Sequence, residues 1–420
     1  MNIGIIGSGG REHALCFKLQ QSKIIDKIYC FPGNAGTNLI AKNIDIDVNN
    51  FENIKKISIE KKIDLIVVGP EQPLVNGIVD YFKNTDIKIF GPDKIASQLE
   101  GSKIFTKKLC KKYNIPTSKF EIFTDREKAI NFLSYSNYPI VIKADGLAAG
   151  KGVYICNSKK ESHEAVNEIF NGRFGKADCV LVEEFLKGEE MSYFIISDGE
   201  TYKNFQTAQD HKRVGEGDTG KNTGGMGAYT PSRLINESLD KKINEKIIKP
   251  TLNGLKKLNS KYIGFLYVGL MIVNDEPFLI EFNVRMGDPE CQTILPLINS
   301  DLGEIIISCC EKKLSSVKIE WADKKSLCFV LCSKGYPDKY EKNVIIENLE
   351  KIKLSHNQFM FHAGTKFYEN KFTAVGGRVL NIVALSDDFK KCKNQALDII
   401  KKIDWSKGFF RKDIGFKVIK

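Results

Sequence analysis

Residues 277–290 read PFLIEFNVRMGDPE, and the rest of the chain is organised around this stretch. Side chains on a β-strand alternate between faces, so Phe278, Ile280, Phe282, Val284 and Met286 are expected on one apolar face and Leu279, Glu281, Asn283 and Arg285 on the other. The second face sets a carboxylate, an amide and a guanidinium in a row, about 7 Å apart, before a Gly287-Asp288-Pro289 turn. A hard cation such as Mg²⁺ takes one or two protein oxygens and fills its shell with phosphate and water, and Glu281 with Asn283 would supply that pair. An amphipathic strand with a solvated polar face explains the same alternation equally well.

Length and composition narrow the field. The 420 residues suffice for about three domains, and 42% hydrophobic with 27% charged residues is ordinary for a globular chain. The net charge of +11 comes from lysines scattered along the chain, without the basic stripe that a nucleic-acid binder concentrates on one face. Eleven cysteines without Cys-x-x-Cys spacing, and five histidines without metal spacing, argue for reduced thiols in a cytoplasmic protein and against structural zinc. The chain opens directly on a short apolar strand and a glycine turn, and no run of eighteen apolar residues calls for a membrane span.

Outward from that stretch, the N-terminal part alternates strands (Ile3 to Ile6, Ile24 to Phe31, Ile63 to Val68, Ile87 to Phe90) with helices, the first expected over Ala14 to Gln21, which predicts a doubly wound parallel sheet. Ligands bind beyond the carboxyl ends of such strands, where the turns GSGGREHA, PGNAGT and GPEQPL fall. A dinucleotide fingerprint fails because Glu12 stands where the third glycine belongs. Backbone N–H groups at Gly9 and Gly10 together with Arg11 suit a monophosphate instead. Glu71 is placed to bind a sugar hydroxyl or an amine, or simply to cap the next helix.

Ser102 predicts an N-cap for a helix over Lys103 to Tyr113. The hairpin from Pro139 to Cys156 carries ADGLAAGKG at its tip; the spacing rejects a P-loop, leaving a glycine loop with Lys143 and Lys151 as point charges for a triphosphate, or a mobile hairpin tip. After Val180 to Val182, the edge formed by Glu183, Glu184, Phe185 and Leu186 would read an adenine through its backbone and Glu190 a ribose, with plain surface carboxylates as the alternative. Residues 209–231, QDHKRVGEGDTGKNTGGMGAYTP, are expected to be a long functional loop, since loops of this length inside a compact domain seldom lack a role. Beyond about residue 312, strands at Ser326 to Cys332, Phe359 to His362 and Arg378 to Leu385, and a helix capped by Ser386, predict a small α+β domain.

The order of GSGGREHA, PGNAGT, VGPEQPLV, LEGSK, VIKADGLAAGKGV, VEEFLKGEE, QDHKRVGEGDTGKNTGGMGAY, GFLYVGLM, IEFNVRMGDPE, FHAGTK, GGRVL and RKDIG resembles the ATP-grasp ligases, and among them the phosphoribosylamine–glycine ligases of purine synthesis. The resemblance implies an N-terminal doubly wound parallel-sheet domain (1–100), a central ATP-grasp fold of two α+β lobes (101–312, with a mobile lobe at about 117–187) and a small C-terminal α+β domain (313–420). It implies ATP-driven joining of glycine to 5-phosphoribosylamine through glycyl phosphate, by a monomer acting on small molecules, with Mg²⁺ or Mn²⁺ as metal. By position, Glu281 and Asn283 become the metal ligands, Arg285 the cation beside transferred phosphate, and Lys103, Lys143 and Lys151 the ATP phosphate partners. Glu183, Glu184, Leu186 and Glu190 take adenine and ribose, with Leu279 as adenine floor. Asp210 and Asp288 orient an amine, Asp210 also serving catalysis, and Gly10, Arg11, Glu12, Asn34 and Glu71 form the phosphoribosylamine pocket. The absence of an acidic residue in Val268 to Met271 departs from many ATP-grasp enzymes but resembles this family. Another ATP-grasp ligase of purine synthesis is the nearest competing reading, and a nucleotide-sensing module without turnover is one from a different class.

Overall fold

Both faces of the N-terminal sheet are buried, which is why its strands read as near-continuous apolar runs. In the computed structural model, which describes residues 1–147, 152–175 and 178–419, five parallel strands are ordered Lys42–Asn43, Lys27–Pro32, Asn2–Gly7, Ile63–Val68 and Lys88–Phe90. Ile3 and Ile5 pack into one core, Ile6 and Ile66 into another. The helix expected from Ala14 begins earlier, at Gly10, and ends at Leu19. Its third residue, Glu12, accepts the N–H of the cap residue Gly9 at 2.6 Å, so the polar stretch Arg11-Glu12-His13 is the first helical turn instead of a loop. Glu12 also fills the space beside two other turns: a Cβ on Gly69 would lie 2.1 Å from its Oε1, and one on Gly7, at φ +121°, 2.6 Å from its carboxyl carbon.

A nine-stranded sheet forms the centre. Its main path runs Glu276–Asn283, Ile263–Val273, Glu189–Asp198, Tyr202–Asp210, Gly227–Thr230, Lys325–Ser333, Arg378–Ser386 and Gln358–His362, with Gly408–Phe409 against Lys325–Ser333. The expected C-terminal strands therefore extend the central sheet through Gly227–Thr230. That strand belongs to the segment read as a long loop, which also holds the two-stranded hairpin Arg213–Gly215 and Thr219–Asn222. The polar, glycine-rich sequence of this segment hid its strands, since it lacks the apolar alternation that marks a strand, and Gly227–Thr230 is fixed in part by pairing with the distant strand Lys325–Ser333. The C-terminal helix Phe389–Ile400 is capped by Asp388, whose side chain accepts from Lys391 N–H, and not by Ser386.

A separate four-stranded sheet, ordered Phe120–Phe123, Val180–Glu184, Ile140–Ala144 and Val153–Cys156, closes its own small core under helices Arg126–Ser134 and Lys159–Phe170. It is stitched to the main sheet where Leu279 N–H donates to Pro116 C=O (2.8 Å) and Thr117 Oγ1 to Leu279 C=O (2.7 Å). Among the described residues no helix is long and apolar enough to cross a membrane, and all eleven cysteines are free thiols.

Candidate active site

The strand Glu276–Asn283 does not alternate as its sequence suggests. Gly269 pairs with Glu281 but Leu270 with Leu279, so Ile280 is the extra residue of a β-bulge. The bulge sends Leu279 into the core, 1% exposed beside Phe282 and Val284, and turns Ile280 toward a cavity. That cavity is lined by Glu190, Met191, Ser192, Asp210, Lys212, Tyr267, Gly269, Leu270 and Ile280. Leu279, expected on the face that would floor an adenine, is instead on the buried side, while Leu270 and Ile280 line the cavity. Val284 and Met286 are buried as expected, although the strand itself ends at Asn283.

Glu281 and Asn283 project from one face, opposite Gly269 and Tyr267. Neither side chain makes a hydrogen bond or ion pair to any described residue, and a Cβ on Gly269 would come within 3.2 Å of Glu281 Cγ. A carboxylate and an amide oxygen, unspent and facing a glycine, fit a magnesium-type ion that takes its remaining ligands from phosphate and water. Among the described residues no three His, Cys, Asp or Glu side chains converge to hold a metal by themselves.

Beside it stand the lysines. Lys103 opens the helix Lys103–Tyr113, capped by Ser102 as expected, and donates to Gly146 C=O at 2.9 Å. Lys143 ends 3.0 Å from Glu183, which also takes Lys107 at 3.3 Å and Ser118 Oγ at 2.6 Å. Burial pushes the Glu183 carboxyl up, but Lys143 and Lys107 outweigh it and hold it below the ordinary range. Glu183 is thus a buried counter-ion to two lysines, and its side chain is not available for adenine. Lys107, four residues beyond Lys103 on the same helix, is a residue the sequence reading missed; that spacing was its signal. The Glu184 side chain is spent on Lys119 N–H (2.8 Å), and Leu186 is half-buried. Glu190 lines the cavity and pairs with Lys212 at 2.8 Å. Lys151 lies outside the described residues.

Arg285 joins the two halves of the site. Its Nη2 reaches Glu100 Oε1 at 2.6 Å and its Nε Glu71 Oε2 at 3.2 Å, while Arg285 Nη1 and Arg11 Nη1 both donate to the Met286 carbonyl, at 3.2 and 3.1 Å. Arg11 pairs with Glu12 at 2.7 Å, and Glu12, 2% exposed and bonded to Gly9, acts as its buried counter-ion. Asn34 spends its amide on Ser8 and His362 carbonyls and its oxygen on Gly36 and Thr37 N–H groups, so it shapes the turn instead of offering groups to a ligand. Gly10 is buried where a Cβ would strike Asn381 and Gln292. Asp288, expected to orient an amine, already faces Arg378 (3.3 Å) and Gln292 (2.7 Å). Despite its burial, Arg378 and Arg11 hold its carboxyl low. Asp210 differs: burial and the neighbouring Glu290 push its carboxyl well above the ordinary range against Lys212 and Arg378, and its Oδ1 has no partner among the described residues. Glu290, buried with Oε1 3.0 Å from Ser192 Oγ, was missed because it sits one residue beyond a proline turn.

The two acids on Arg285 are driven apart. Burial pushes Glu71 up, but Arg285 and Arg11 bring it down to about 2. Burial pushes Glu100 up to about 7, with Glu71 adding to the rise and Arg285 opposing it. Between pH 4.5 and 7 the native state therefore holds a proton at Glu100 that the unfolded chain has released, and this contribution to stability falls as pH rises. His13 and His362, buried with lowered values, act in the opposite sense. The Glu100→Gln variant is therefore expected to gain stability relative to the unsubstituted chain from pH 5 to pH 8, by roughly 3 kcal/mol at most. Thermal unfolding of both proteins across that range measures the difference, and parallel pH curves would refute the assignment.

Seen whole, the fold matches that of ATP-grasp proteins. The biotin carboxylase domain of Hydrogenobacter thermophilus 2-oxoglutarate carboxylase, solved with MgADP, superposes with TM-score 0.73 over 97% of this chain and 91% of that one at 15% identity, a likeness of fold alone. Residues 101–291 match the ATP-grasp (A) domain of phosphoribosylglycinamide synthetase, and residues 1–100 and 326–417 match its N and C domains. The matched domain and the fold together define an ATP-grasp protein. The phosphoribosylamine–glycine ligase of Caldanaerobacter subterraneus is 47% identical over 417 residues, covering 99% of both chains, and that of Brucella melitensis 44% over 420 residues, covering 100% of this chain and 98% of the relative. The Thermotoga maritima phosphoribosylamine–glycine ligase structure superposes with TM-score 0.85 at 32% identity, over 99% of this chain and 100% of that one. The chain belongs to the phosphoribosylglycinamide synthetase family.

Proposed function

We propose that this chain joins glycine to 5-phosphoribosylamine at the expense of ATP, releasing glycinamide ribonucleotide, ADP and phosphate. The observation that carries the reading is Arg285, which follows directly on the Glu281-Asn283 strand while holding Glu71 of the N-terminal sheet. Nucleotide and acceptor pockets therefore meet at one guanidinium. A carboxylate is a poor electrophile until one oxygen becomes phosphate, and phosphoryl transfer rests chiefly on positioning and charge neutralisation. The glycine carboxylate takes the γ-phosphoryl group, ADP leaves, and the amine of phosphoribosylamine attacks the acyl carbon to form the amide and expel phosphate.

In this reading residues 1–100 bind the acceptor, 101–312 the nucleotide, and 313–420 complete the sheet behind them. Glu281 and Asn283 hold Mg²⁺, with Mn²⁺ as the alternative; when bound, the ion draws charge off the phosphate oxygens. Lys103, Lys143, Lys151 and Lys212 neutralise the phosphates, and Glu190 takes the ribose against a floor of Leu270 and Ile280. The backbone of Glu184 to Leu186 reads the adenine. Arg11 and the turn amides hold the acceptor phosphate, Glu71 its ribosyl amine, and Asp210 with Glu290 the ammonium group of glycine. One chain carries every group, so a monomer suffices, and eleven free thiols suit the reducing cytoplasm.

ADP release is expected only when Mg²⁺, glycine and phosphoribosylamine are all present, as followed by a coupled ADP assay. Equal ADP release with bicarbonate or formate in place of glycine would replace this reading with that of another ATP-grasp ligase.

A further inference from the structure

The C-terminal segment reaches back to the site. Arg411, 1% exposed, donates through Nη1 to Asp218 Oδ1 and to the Arg213 carbonyl, each at 2.9 Å. Its other nitrogens hold Asp413 at 2.8 and 2.7 Å, and Asp413 in turn accepts Gly217 N–H at 2.8 Å. Four residues on from Arg411, the Gly415 N–H donates to His211 Nε2 at 3.2 Å, so the His211 proton sits on Nδ1, which faces the Gly227 carbonyl at 3.3 Å. Lys417 adds a second cation on Asp218 at 3.2 Å. All of these contacts fall on residues 211–218 or on the strand that receives them. The two residues flanking His211, Asp210 and Lys212, both line the cavity.

We propose that Arg411 to Lys417 is a positioning element of the active site: Arg411 through Asp218 and Arg213, and Gly415 through His211, set the segment that aims Lys212 at the nucleotide. Isolated surface ion pairs contribute little, whereas Arg411 is buried and satisfies a carbonyl and two carboxylates at once, a planar arrangement that lysine does not reproduce. Ile414, 0% exposed, anchors the same segment against Gly227, so the segment is held independently of any ligand. An ångström of misplacement at a charge that acts on transferring phosphate is enough to cost much of the rate.

The catalytic part of the proposal rests on the ligase reading; the structural part does not. Asp218 and Asp413 are 31% and 20% exposed on their side chains and can take up water once Arg411→Met removes their partner, so that variant is expected to fold. Its kcat for glycine-dependent ADP release is expected to fall about 10- to 100-fold with KM for glycine within about threefold. Introduced into Lys212→Met, the same substitution is expected to cost less than about threefold more, because its effect runs through Lys212. Equal fold losses in both backgrounds, or an unchanged kcat, overturn the proposal. Asp218→Asn, which alters only the hairpin side, repeats the cycle should Arg411→Met fail to fold. Amide hydrogen exchange supplies the readout independent of turnover: faster exchange confined to residues 211–222 in Arg411→Met supports the strap, and unchanged exchange there rejects it, even if the unsubstituted chain released no ADP and the ligase reading had failed.

Discussion

Arg285→Met is expected to lower kcat for ADP release by about 10³-fold, the scale on which a cation at a transferring phosphoryl group acts. The substitution also strips the partner from Glu71 and Glu100, the second of them 8% exposed. Breaking a buried pair from one side destabilises by about 3–5 kcal/mol, so lost activity in the single variant does not by itself separate catalysis from folding. The double variant Arg285→Met with Glu100→Gln removes the orphaned charge. Its melting temperature is expected to recover much of the loss while kcat stays low. Recovery of both together would return Arg285 to a structural role linking the N-terminal and central sheets.

The second large effect belongs to Glu281→Gln, for which a loss of at least about 10²-fold in kcat is expected, since even groups that merely orient a metal ligand cost 10- to 100-fold. The amide keeps the volume and one oxygen but removes the charge. Because Glu281 has no ion pair or hydrogen bond to any described residue, no internal partner is left unsatisfied, and unfolding by circular dichroism is expected to be unchanged within a few degrees. Raising the free Mg²⁺ concentration should restore part of the rate if affinity for the ion is what was lost. A kcat within threefold of the unsubstituted chain at ordinary Mg²⁺ would remove Glu281 from the site. Together the two variants separate the positions along the strand: Glu281 answers to the metal concentration and Arg285 does not.

Several of the positions on which these expectations rest were legible in the sequence. Glu281, Asn283 and Arg285 stand two residues apart; the structure keeps Glu281 and Asn283 on one side of the strand because the bulge falls before them, between Leu279 and Glu281, and Arg285 follows just beyond the strand's end. The same bulge explains why Leu279 leaves the face expected for it, since one inserted residue exchanges the faces of everything on its N-terminal side. Whether a bulge forms is decided by the partner strand Ile263–Val273. Glu183 failed for a related reason: its strand was identified, but the two lysines that claim its carboxylate come from a helix and a strand 76 and 40 residues away.

By itself, then, the sequence determined the alternation of elements in the N-terminal sheet, the cap at Ser102, the oxygen pair Glu281 and Asn283, and, through the order of its motifs, the family. These are local or additive properties: hydrophobic period, turn chemistry and residue type act over a few neighbours. Only the tertiary structure decided which ionisable groups are already spent. Glu183 on Lys143 and Lys107, Asp288 on Arg378, and Arg285 between Glu71 and Glu100 are pairings across distant parts of the chain. Burial makes such pairing obligatory, because a charge removed from water must find its counter-ion or give up its proton, and which counter-ion it finds depends on the packing of whole sheets.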